Sequence, residues 1–326
     1  MVLQKGAHYK RQPGLAQLPR DENIGGRKGR ARKMWQAIER DISNALGEAF
    51  RVLDSRAITG GCINETICLR GEKQSFFVKL NSAHKLPMFK AETLGLKAIR
   101  ATQTIRAPEP IACGVDHKQS WLALEFIALL DHGSSSADAR LGESLAAMHR
   151  SSSDAFGWER DNTIGSTPQL NSWTQDWLTF LRQYRFGPQL EWARAAGLPT
   201  TITDRAEKLI EALPGLFTDY RPQPSLLHGD LWSGNRGTDS SGSPVIFDPA
   251  VYYGDREADI AMTELFGGIT AQFYQAYKDT WPLDPGYGTR RELYNLYHVL
   301  NHFNLFGGSY AGQVQSLIDR LLAELS

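Results

Sequence analysis

The sequence contains little cysteine, and neither sign of charge is in excess. Its 326 residues include 36 basic residues, 36 acidic residues and only three cysteines, Cys62, Cys68 and Cys113. The cysteines are odd in number and their spacings match no zinc motif, so we expect neither a disulfide framework nor a structural metal site. The balanced charge gives no indication of a nucleic-acid partner, and it favours a small-molecule substrate.

Long apolar runs are also absent. No stretch of about twenty apolar residues could span a bilayer, and no apolar segment follows Met1 as it would in a signal peptide. We therefore expect a soluble, cytoplasmic protein without a membrane partner.

The composition changes along the chain and divides it into three regions. Residues 1–33 are rich in glycine, lysine and arginine and lack a sustained apolar period. This is typical of a flexible basic extension, although binding to an anionic partner stays open. From Trp35 onwards, apolar residues recur at helical spacing up to Gly47. The remaining length is enough for two lobes at about 150 residues per domain, which we place at residues 34–127 and 128–326.

The two predicted lobes differ in the period of their apolar residues. The first contains short apolar runs separated by glycine turns, with one helical segment from Pro87 to about Ala101. After Leu130 the periods become helical, apart from an irregular block at residues 226–254. These patterns predict an α+β, bilobal protein with a β-rich N-terminal lobe and a larger helical C-terminal lobe. The predicted strands cover residues 57–59, 66–69, 76–80 and 121–126.

The irregular block contains the polar side chains that phosphoryl transfer requires. Residues 226–235 read LLHGDLWSGN, and Asp248 follows in VIFDP. Transfer to an alcohol needs a carboxylate that takes the hydroxyl proton, and an amide and a carboxylate oxygen that hold Mg²⁺ against the phosphates. We assign Asp230 as the base and Asn235 and Asp248 as the Mg²⁺ ligands. A surface turn is the alternative, but it does not account for the full spaced set.

The spacing within this block is typical of a kinase catalytic loop, in which the base precedes the asparagine by five positions. His228-Gly229-Asp230 replaces the usual His-Arg-Asp. In regulated protein kinases that arginine meets a phosphorylated activation loop. Its absence favours a constitutively assembled small-molecule kinase, with ATP and Mg²⁺ as cofactors.

A lysine and a glutamate in the first lobe provide an independent indication. Lys79 ends the strand pattern FFVK, and Glu92 lies on the apolar stripe of the following helix. A carboxylate on a core face needs a cationic partner, so we predict that Lys79 and Glu92 pair at the nucleotide phosphates. The alternative is that Glu92 is exposed and Lys79 reaches solvent.

Further residues of the first lobe have positions that suit nucleotide binding. Residues 58–64 read ITGGCIN, and Gly60 and Gly61 would let backbone N–H groups approach the phosphates, although a hairpin turn explains them equally well. Glu125 and Ile127 lie where the inter-lobe hinge would meet adenine. Residues 34–127 are thus the predicted ATP-binding lobe, and residues 128–326 the catalytic and substrate lobe. Asp259 opens a later helix, where it could cap that helix or brace the catalytic loop, and a structural role is favoured.

The block and its surroundings resemble the fructosamine-3-kinase (ketosamine-3-kinase) family. The shared His-Gly-Asp and later Asp also occur in aminoglycoside phosphotransferases and choline kinases, but the extensions of both motifs are more selective. The resemblance runs from about residue 34 to the C-terminus, and the segments that carry it read GGCI at residues 60–63, FVK at 77–79, LWSGN at 231–235, FDPAVYYGDRE at 247–257, LFGG at 265–268 and LNHFN at 300–304.

The resemblance implies phosphorylation of the 3-hydroxyl of a ketoamine, the rearranged adduct of a sugar and an amine. The phosphate makes that adduct labile, which implies a role in deglycation of proteins or small amines. The resemblance also places Cys62 in the phosphate loop and His302 near the substrate. Asn64 belongs to the same candidate phosphate turn, and Trp232, next to the base in sequence, is a candidate platform for the ketoamine nitrogen. A tryptophan packed beneath the loop and a core histidine are the alternatives.

Two questions stay open at the level of sequence. The acceptor could be another alcohol, as in aminoglycoside or choline kinases, and a pseudokinase that only binds ligands is a further alternative. Cys62, beside anion-binding amides, could have a lowered pKa and be oxidisable. We therefore expect either a monomer or a redox-sensitive homodimer.

Overall fold

The computed structural model describes residues 25–58, 63–130 and 135–326. These residues form two compact units. The first unit comprises the described residues up to Leu86 together with Pro110–Phe126, and the second comprises Pro87–Glu109 and the described residues from Ile127 to Ser326.

The first unit is a five-stranded antiparallel sheet packed on one long helix. The helix α1 covers Gly25–Leu46, and the strands are β1 (Asp54–Ala57), β2 (Glu65–Arg70), β3 (Ser75–Ser82), β4 (Pro110–Asp116) and β5 (Gln119–Glu125). The strand order is β1-β2-β3-β5-β4. Ile38 and Ile42 of α1 are fully buried in one core with Leu69, Val78 and Trp121 of the sheet, as the helical spacing of the apolar residues predicts.

The helix α1 begins earlier than the apolar pattern predicts. Residues 25–33, which the composition assigns to the flexible extension, continue the helix towards its N-terminus. Lysine, arginine and alanine are good helix formers, so the helix that Ile38 and Ile42 anchor in the core can continue through this segment. The remainder of the predicted extension, residues 1–24, lies outside the described residues.

The second unit is mostly helical. Its helices are α2 (Leu86–Ala101), α3 (Ser135–His149), α4 (Trp177–Phe180), α5 (Gly187–Ala195), α6 (Thr200–Ala212), α7 (Glu257–Leu265), α8 (Ala271–Thr280), α9 (Tyr287–Phe306) and α10 (Ala311–Glu324). Three two-stranded ribbons complete it, and they are formed by β6 (Asn162–Ile164) with β7 (Thr167–Gln169), β8 (Ser225–Leu227) with β11 (Tyr252–Gly254), and β9 (Arg236–Thr238) with β10 (Pro244–Ile246).

The helix α2 groups with the helical unit, whereas the sequence places residues 87–109 in the N-terminal lobe. Phe89, Leu96 and Ile99 are fully buried on the predicted stripe. Gly95 lies against Val251, since a Cβ atom at Gly95 would be only 3.0 Å from Val251 Cγ2. The small residue thus allows α2 to pack on the loop before β11. The spacing of apolar residues within α2 cannot indicate this contact, because Val251 lies far along the chain.

A second glycine brings two helices of this unit together. A Cβ atom at Gly142 of α3 would be 2.3 Å from the carbonyl oxygen of Phe273 in α8. Only glycine permits this approach. None of the described helices is both long and apolar enough to cross a membrane.

Candidate active site

The predicted catalytic residues lie on two adjacent loops of the second unit. One loop, residues 228–235, joins β8 to β9, and the other, residues 247–251, joins β10 to β11. Because β8 pairs with β11 and β9 pairs with β10, both loops leave the same pair of ribbons. The Phe247 N–H donates to the Asn235 carbonyl at 3.0 Å, and the Ala250 N–H donates to the His228 carbonyl at 2.8 Å. Residues separated by more than ten positions are therefore held side by side.

Gly229 explains why the kinase-like motif lacks its arginine. Its φ of +80° lies in the left-handed region, which side chains other than glycine adopt at a cost. A Cβ atom there would be 2.1 Å from the Ala250 carbonyl oxygen. Close approach of the second loop therefore requires glycine at this position.

The buried His228 ring joins the two loops as a neutral side chain. Its Nε2 lies 2.9 Å from the Phe247 carbonyl oxygen, which can only accept, so Nε2 carries the hydrogen. Its Nδ1 then accepts from the Asp230 N–H at 3.3 Å. Burial lowers the pKa of His228, which keeps the ring neutral, and the two hydrogen bonds select this tautomer.

The carboxylate of Asp230 faces Asn235. Asn235 Nδ2 donates to the Asp230 carbonyl at 2.9 Å and to Asp230 Oδ2 at 3.2 Å. Burial of the carboxylate and the nearby Asp248 charge raise the pKa of Asp230 well above its usual range. Asp230 as a residue keeps part of its surface exposed.

Asp248 differs from Asp230 in exposure and backbone conformation. Its side chain is exposed, and its φ is +58°. Aspartate tolerates the left-handed region better than most residues because its short polar side chain can hydrogen-bond locally. This turn directs the chain from the end of β10 back towards β11.

The donor set of these residues fits Mg²⁺. Asn235 uses its amide nitrogen towards Asp230, so its Oδ1 oxygen is the atom that could face a cation. Amide and carboxylate oxygens are the ligands that Mg²⁺ prefers, and it usually completes its shell with waters and substrate phosphates. The two side chains would therefore act together with phosphate oxygens.

The carboxylate of Asp259 holds the backbone of the catalytic loop through hydrogen bonds. Its Oδ2 accepts from the His228 N–H at 2.7 Å, and its Oδ1 accepts from the Gly229 N–H at 2.8 Å. His149 Nε2 lies 3.1 Å from the same carboxylate. Burial opposes the charge of Asp259, but these hydrogen bonds outweigh it and lower the pKa. The structural role expected for Asp259 is thus a brace of the loop, since it does not cap α7.

The other predicted nucleotide residues are distributed over both units. Lys79 in β3 is only 3% exposed, so the alternative in which it reaches solvent is wrong. Glu92 of α2 is half-buried, as are Glu125 at the end of β5 and Ile127. Asn64 accepts a hydrogen bond from Asn81 Nδ2 at 2.8 Å. The predicted residues Gly60, Gly61 and Cys62 lie outside the described ranges.

The two predicted substrate residues belong to a cluster of aromatic rings. Trp232 is half-buried and its indole lies over Gly234, where a Cβ atom would be 2.3 Å from the ring. The Trp232 ring meets Phe266 edge to face at a centroid distance of 6.2 Å, and Phe266 lies 4.9 Å from the His302 ring. Phe266 is not among the predicted site residues, although the segment LFGG that contains it is part of the family resemblance.

Together the described elements define a protein of the protein-kinase-like fold. An aminoglycoside phosphotransferase solved with ADP and hygromycin B superimposes with a TM-score of 0.59 over 88% of this chain and 98% of that chain, at 15% identity. The predicted α+β, kinase-like fold class is confirmed.

Within this class, the chain belongs to the fructosamine kinase family, whose model matches residues 34–324. A Synechocystis protein described as a ketoamine kinase is 48% identical over 293 residues, which are 88% of this chain and 97% of the relative. The protein-ribulosamine 3-kinase of Oryza sativa is 44% identical over 283 residues, or 86% and 82% of the two chains. A crystal structure described as a fructosamine-3-kinase from Haemophilus somnus has a TM-score of 0.82 at 29% identity, and the match covers 88% of this chain and 97% of that one. The predicted family and the ATP-dependent phosphotransferase class are confirmed.

Proposed function

We propose that this protein transfers the γ-phosphate of ATP to the 3-hydroxyl of ketosamines, the fructosamine or ribulosamine adducts of amines, and so takes part in deglycation. The observation that carries the proposal is the convergence of Asp230, Asn235 and Asp248 on two hydrogen-bonded loops. Membership of the fructosamine kinase family and the similarity to a plant protein-ribulosamine 3-kinase support the choice of acceptor.

In this proposal Asp230 orients the acceptor hydroxyl and takes its proton. The raised pKa of this carboxylate brings it closer to the acidity that an efficient general base needs near neutral pH. Its hydrogen bond from Asn235 fixes the carboxylate, and the His228 ring fixes the backbone of the loop through the Asp230 N–H.

Asn235 and Asp248 would hold Mg²⁺, which neutralises charge on the transferring phosphoryl group when it is bound. The hydrogen bond from the Phe247 N–H to the Asn235 carbonyl ties the backbone next to Asp248 to the backbone of Asn235. The two proposed Mg²⁺-binding residues are therefore held near each other without a bound metal. Such preorganisation lowers the cost of ordering the site during the reaction. The roles of Lys79, Glu92, Asn64, Glu125 and Ile127 at the nucleotide stay predictions, as do those of Gly60, Gly61 and Cys62.

The substrate side is proposed to include Trp232 and His302. An indole face can receive the protonated nitrogen of a ketoamine. Both the free and the protein-bound forms of the adduct are candidate substrates.

A panel of acceptors with Mg·ATP tests the proposal. We expect the purified protein to phosphorylate ribuloselysine or fructoselysine and to leave choline and kanamycin unchanged, measured as ADP release and by mass spectrometry of the product. Phosphorylation of choline or kanamycin with no turnover of either ketoamine would contradict it.

An Asp230→Asn variant examines the proposed base. We expect kcat to fall by roughly a thousandfold with little change in thermal unfolding, because general-base catalysis contributes about 10²–10⁴ in rate. Asp204→Asn, on the exposed surface of α6, is the matched control and should keep full activity. If Asp230→Asn kept wild-type turnover, the assignment would be wrong.

A further inference from the structure

Five aromatic side chains form a continuous surface that starts at the catalytic loop. This aromatic surface consists of Trp232, Phe266, His302, Phe306 and Tyr310. From the His302 ring, the centroid distances are 4.9 Å to Phe266, 5.6 Å to Phe306 and 5.3 Å to Tyr310. Since Trp232 meets Phe266 and lies two residues after Asp230, the surface leads away from the proposed base.

The surface exposes phenylalanine rings that would ordinarily be buried. Phe266 is 41% exposed and Phe306 is 43% exposed, and no other phenylalanine of the described residues is as accessible. Exposed apolar side chains that cluster beside polar groups are typical of a binding site. Two such rings grouped around His302 and beside a catalytic loop therefore suggest that this surface contacts a ligand.

The turn that carries Phe266 is fastened to the catalytic loop. Gly267 and Gly268 both have positive φ, at +68° and +85°. Arg236, which directly follows Asn235, donates to the Gly268 carbonyl at 2.7 Å and pairs with the buried Asp138. Asp138 also accepts from the Thr270 N–H at 3.0 Å. The position of Phe266 is thereby fixed relative to the loop of Asp230.

The chemistry of the surface favours a group that carries no negative charge. His302 Nδ1 donates to the His298 carbonyl at 2.8 Å, and burial lowers the pKa of His302, so the ring is neutral near pH 7. Its Nε2 is then an acceptor. None of the five side chains offers a cation that could pair with a carboxylate, whereas their faces suit hydrocarbon and the carbon next to a protonated amine.

We propose that the aromatic surface is the subsite for the amine-derived half of the ketoamine, and that it binds an aliphatic chain attached to the ketoamine nitrogen. The inference rests on the proposed function, which supplies the sugar half at Asp230. A chain of several methylenes, such as the side chain of a glycated lysine, can extend from the sugar across Phe266 towards Phe306. A short N-substituent that ends in a carboxylate gains no contact with hydrocarbon and meets no cation in the surface.

The test compares three ribulosamines that differ only in the N-substituent: methyl, n-hexyl and carboxymethyl. For the wild-type protein we expect kcat/KM for the hexyl compound to exceed that of the methyl compound by roughly tenfold, because burial of a few methylenes supplies that discrimination. The carboxymethyl compound should be the poorest of the three. Equal kcat/KM values for all three compounds would overturn the subsite.

Variants test whether the preference for the hexyl compound depends on the aromatic surface. Phe266→Ala and Phe306→Ala should reduce the hexyl-to-methyl ratio of kcat/KM towards one, and Phe266→Leu should retain part of that ratio. Leu53→Ala, at an exposed apolar residue of the first unit, is the control that should leave the ratio unchanged. Thermal unfolding of each variant should stay near wild type, since both rings are partly exposed.

The outcomes separate the two proposals. If the ketoamines are phosphorylated and the hexyl preference survives in both alanine variants, the subsite is wrong and the proposed function stands. If none of the three ribulosamines is phosphorylated by the wild-type protein, the proposed function fails, and the subsite fails with it.

Discussion

At the scale of single residues, two glycines determine the form of the catalytic loop. Gly229 has a positive φ and no room for a Cβ atom beneath the Ala250 carbonyl. Gly234 leaves space for the Trp232 indole. Both occur in the motif LLHGDLWSGN, but only the three-dimensional contacts explain why each must lack a side chain.

Replacement of Gly229 by alanine should damage both stability and turnover. A left-handed backbone costs alanine about 1–2 kcal/mol, and the overlap with a backbone carbonyl adds to this cost. We expect urea unfolding to show a loss of about 3 kcal/mol and kcat to fall at least a hundredfold. Gly288→Ala, where no atom lies within 4 Å of the added Cβ, is the control. Wild-type stability of Gly229→Ala would contradict this account of the motif.

At the scale of elements, the ribbons and α7 hold the two loops in place. Asp259 lies in the first turn of α7 and accepts hydrogen bonds from the two backbone N–H groups that precede Asp230. His149 of α3 links the same carboxylate to Tyr277 of α8 through its Nδ1, which lies 2.8 Å from the tyrosine hydroxyl. Three helices thus support one loop through a single carboxylate.

Asp259→Ala removes the acceptor of two buried N–H groups. Because each buried donor without a partner costs about 1–3 kcal/mol, we expect the free energy of unfolding to fall by about 3 kcal/mol and kcat to drop more strongly than KM rises. Chemical denaturation and steady-state kinetics measure these effects. The account would be wrong if the variant kept full kcat. Asp204→Asn again serves as the exposed control.

The β9–β10 hairpin provides a pH-dependent contribution to stability. Hydrogen bonds from the Ser241 hydroxyl, from the Ser243 and Ser241 N–H groups and from the paired Arg106 lower the pKa of Asp239 to about 2. The pKa in the unfolded chain is about 3.9. Since the pKa is depressed on folding, the stabilisation is present above about pH 4 and is lost as the pH falls towards 2.

Comparison of the wild type with Asp239→Asn measures this contribution. We expect the variant to be less stable by up to about 2 kcal/mol at pH 7, and the difference between the two proteins to shrink as the pH falls from about 4. Urea unfolding followed by tryptophan fluorescence between pH 7 and pH 3 gives both values. A difference that is constant over this range would contradict the assigned pKa.

At the scale of the whole molecule, each unit is held by its own core. The first is closed by α1 against the sheet, and the second by helix pairs such as α3 with α8. In the part of the chain that the structure describes, no cluster of three or more acidic, histidine or cysteine side chains could form a structural metal site. We predict that Mg²⁺ at Asn235 and Asp248 serves phosphoryl transfer, and removal of metal tests whether it also contributes to stability.

Removal of divalent ions should separate the role of the metal in phosphoryl transfer from any role in stability. We expect EDTA to abolish phosphoryl transfer while the thermal unfolding temperature changes by less than about 2 °C, because Asn235 and Asp248 hold Mg²⁺ mainly together with phosphates. Calorimetry with and without EDTA, followed by restoration of activity with Mg²⁺, provides the measurement. A large fall in the unfolding temperature on EDTA treatment would show that a metal stabilises the fold.

Much of the fold could be predicted because its signals are local. Period-two and helical patterns locate β2, β3, β5 and α2 to within a few residues, since each pattern reflects which face of one element is buried. The start of α1 lies outside the predicted helix because residues 25–33 contain no sustained apolar period that would indicate it. The packing of α2 on the loop before β11 depends on Gly95 and Val251, which are far apart along the chain, so no local pattern predicts it.

For the site, the sequence alone determined which chemical groups are present and in what order: a carboxylate, an amide and a second carboxylate at spacings that suit phosphoryl transfer. Tertiary structure decided what surrounds them. It placed Asp259 beneath the loop, fixed the His228 tautomer, and brought Phe266, His302, Phe306 and Tyr310 next to Trp232. The physical reason is that the spacing of residues in the sequence indicates only contacts between residues close along the chain. Hydrogen bonds and ring contacts between distant residues form only when the elements pack.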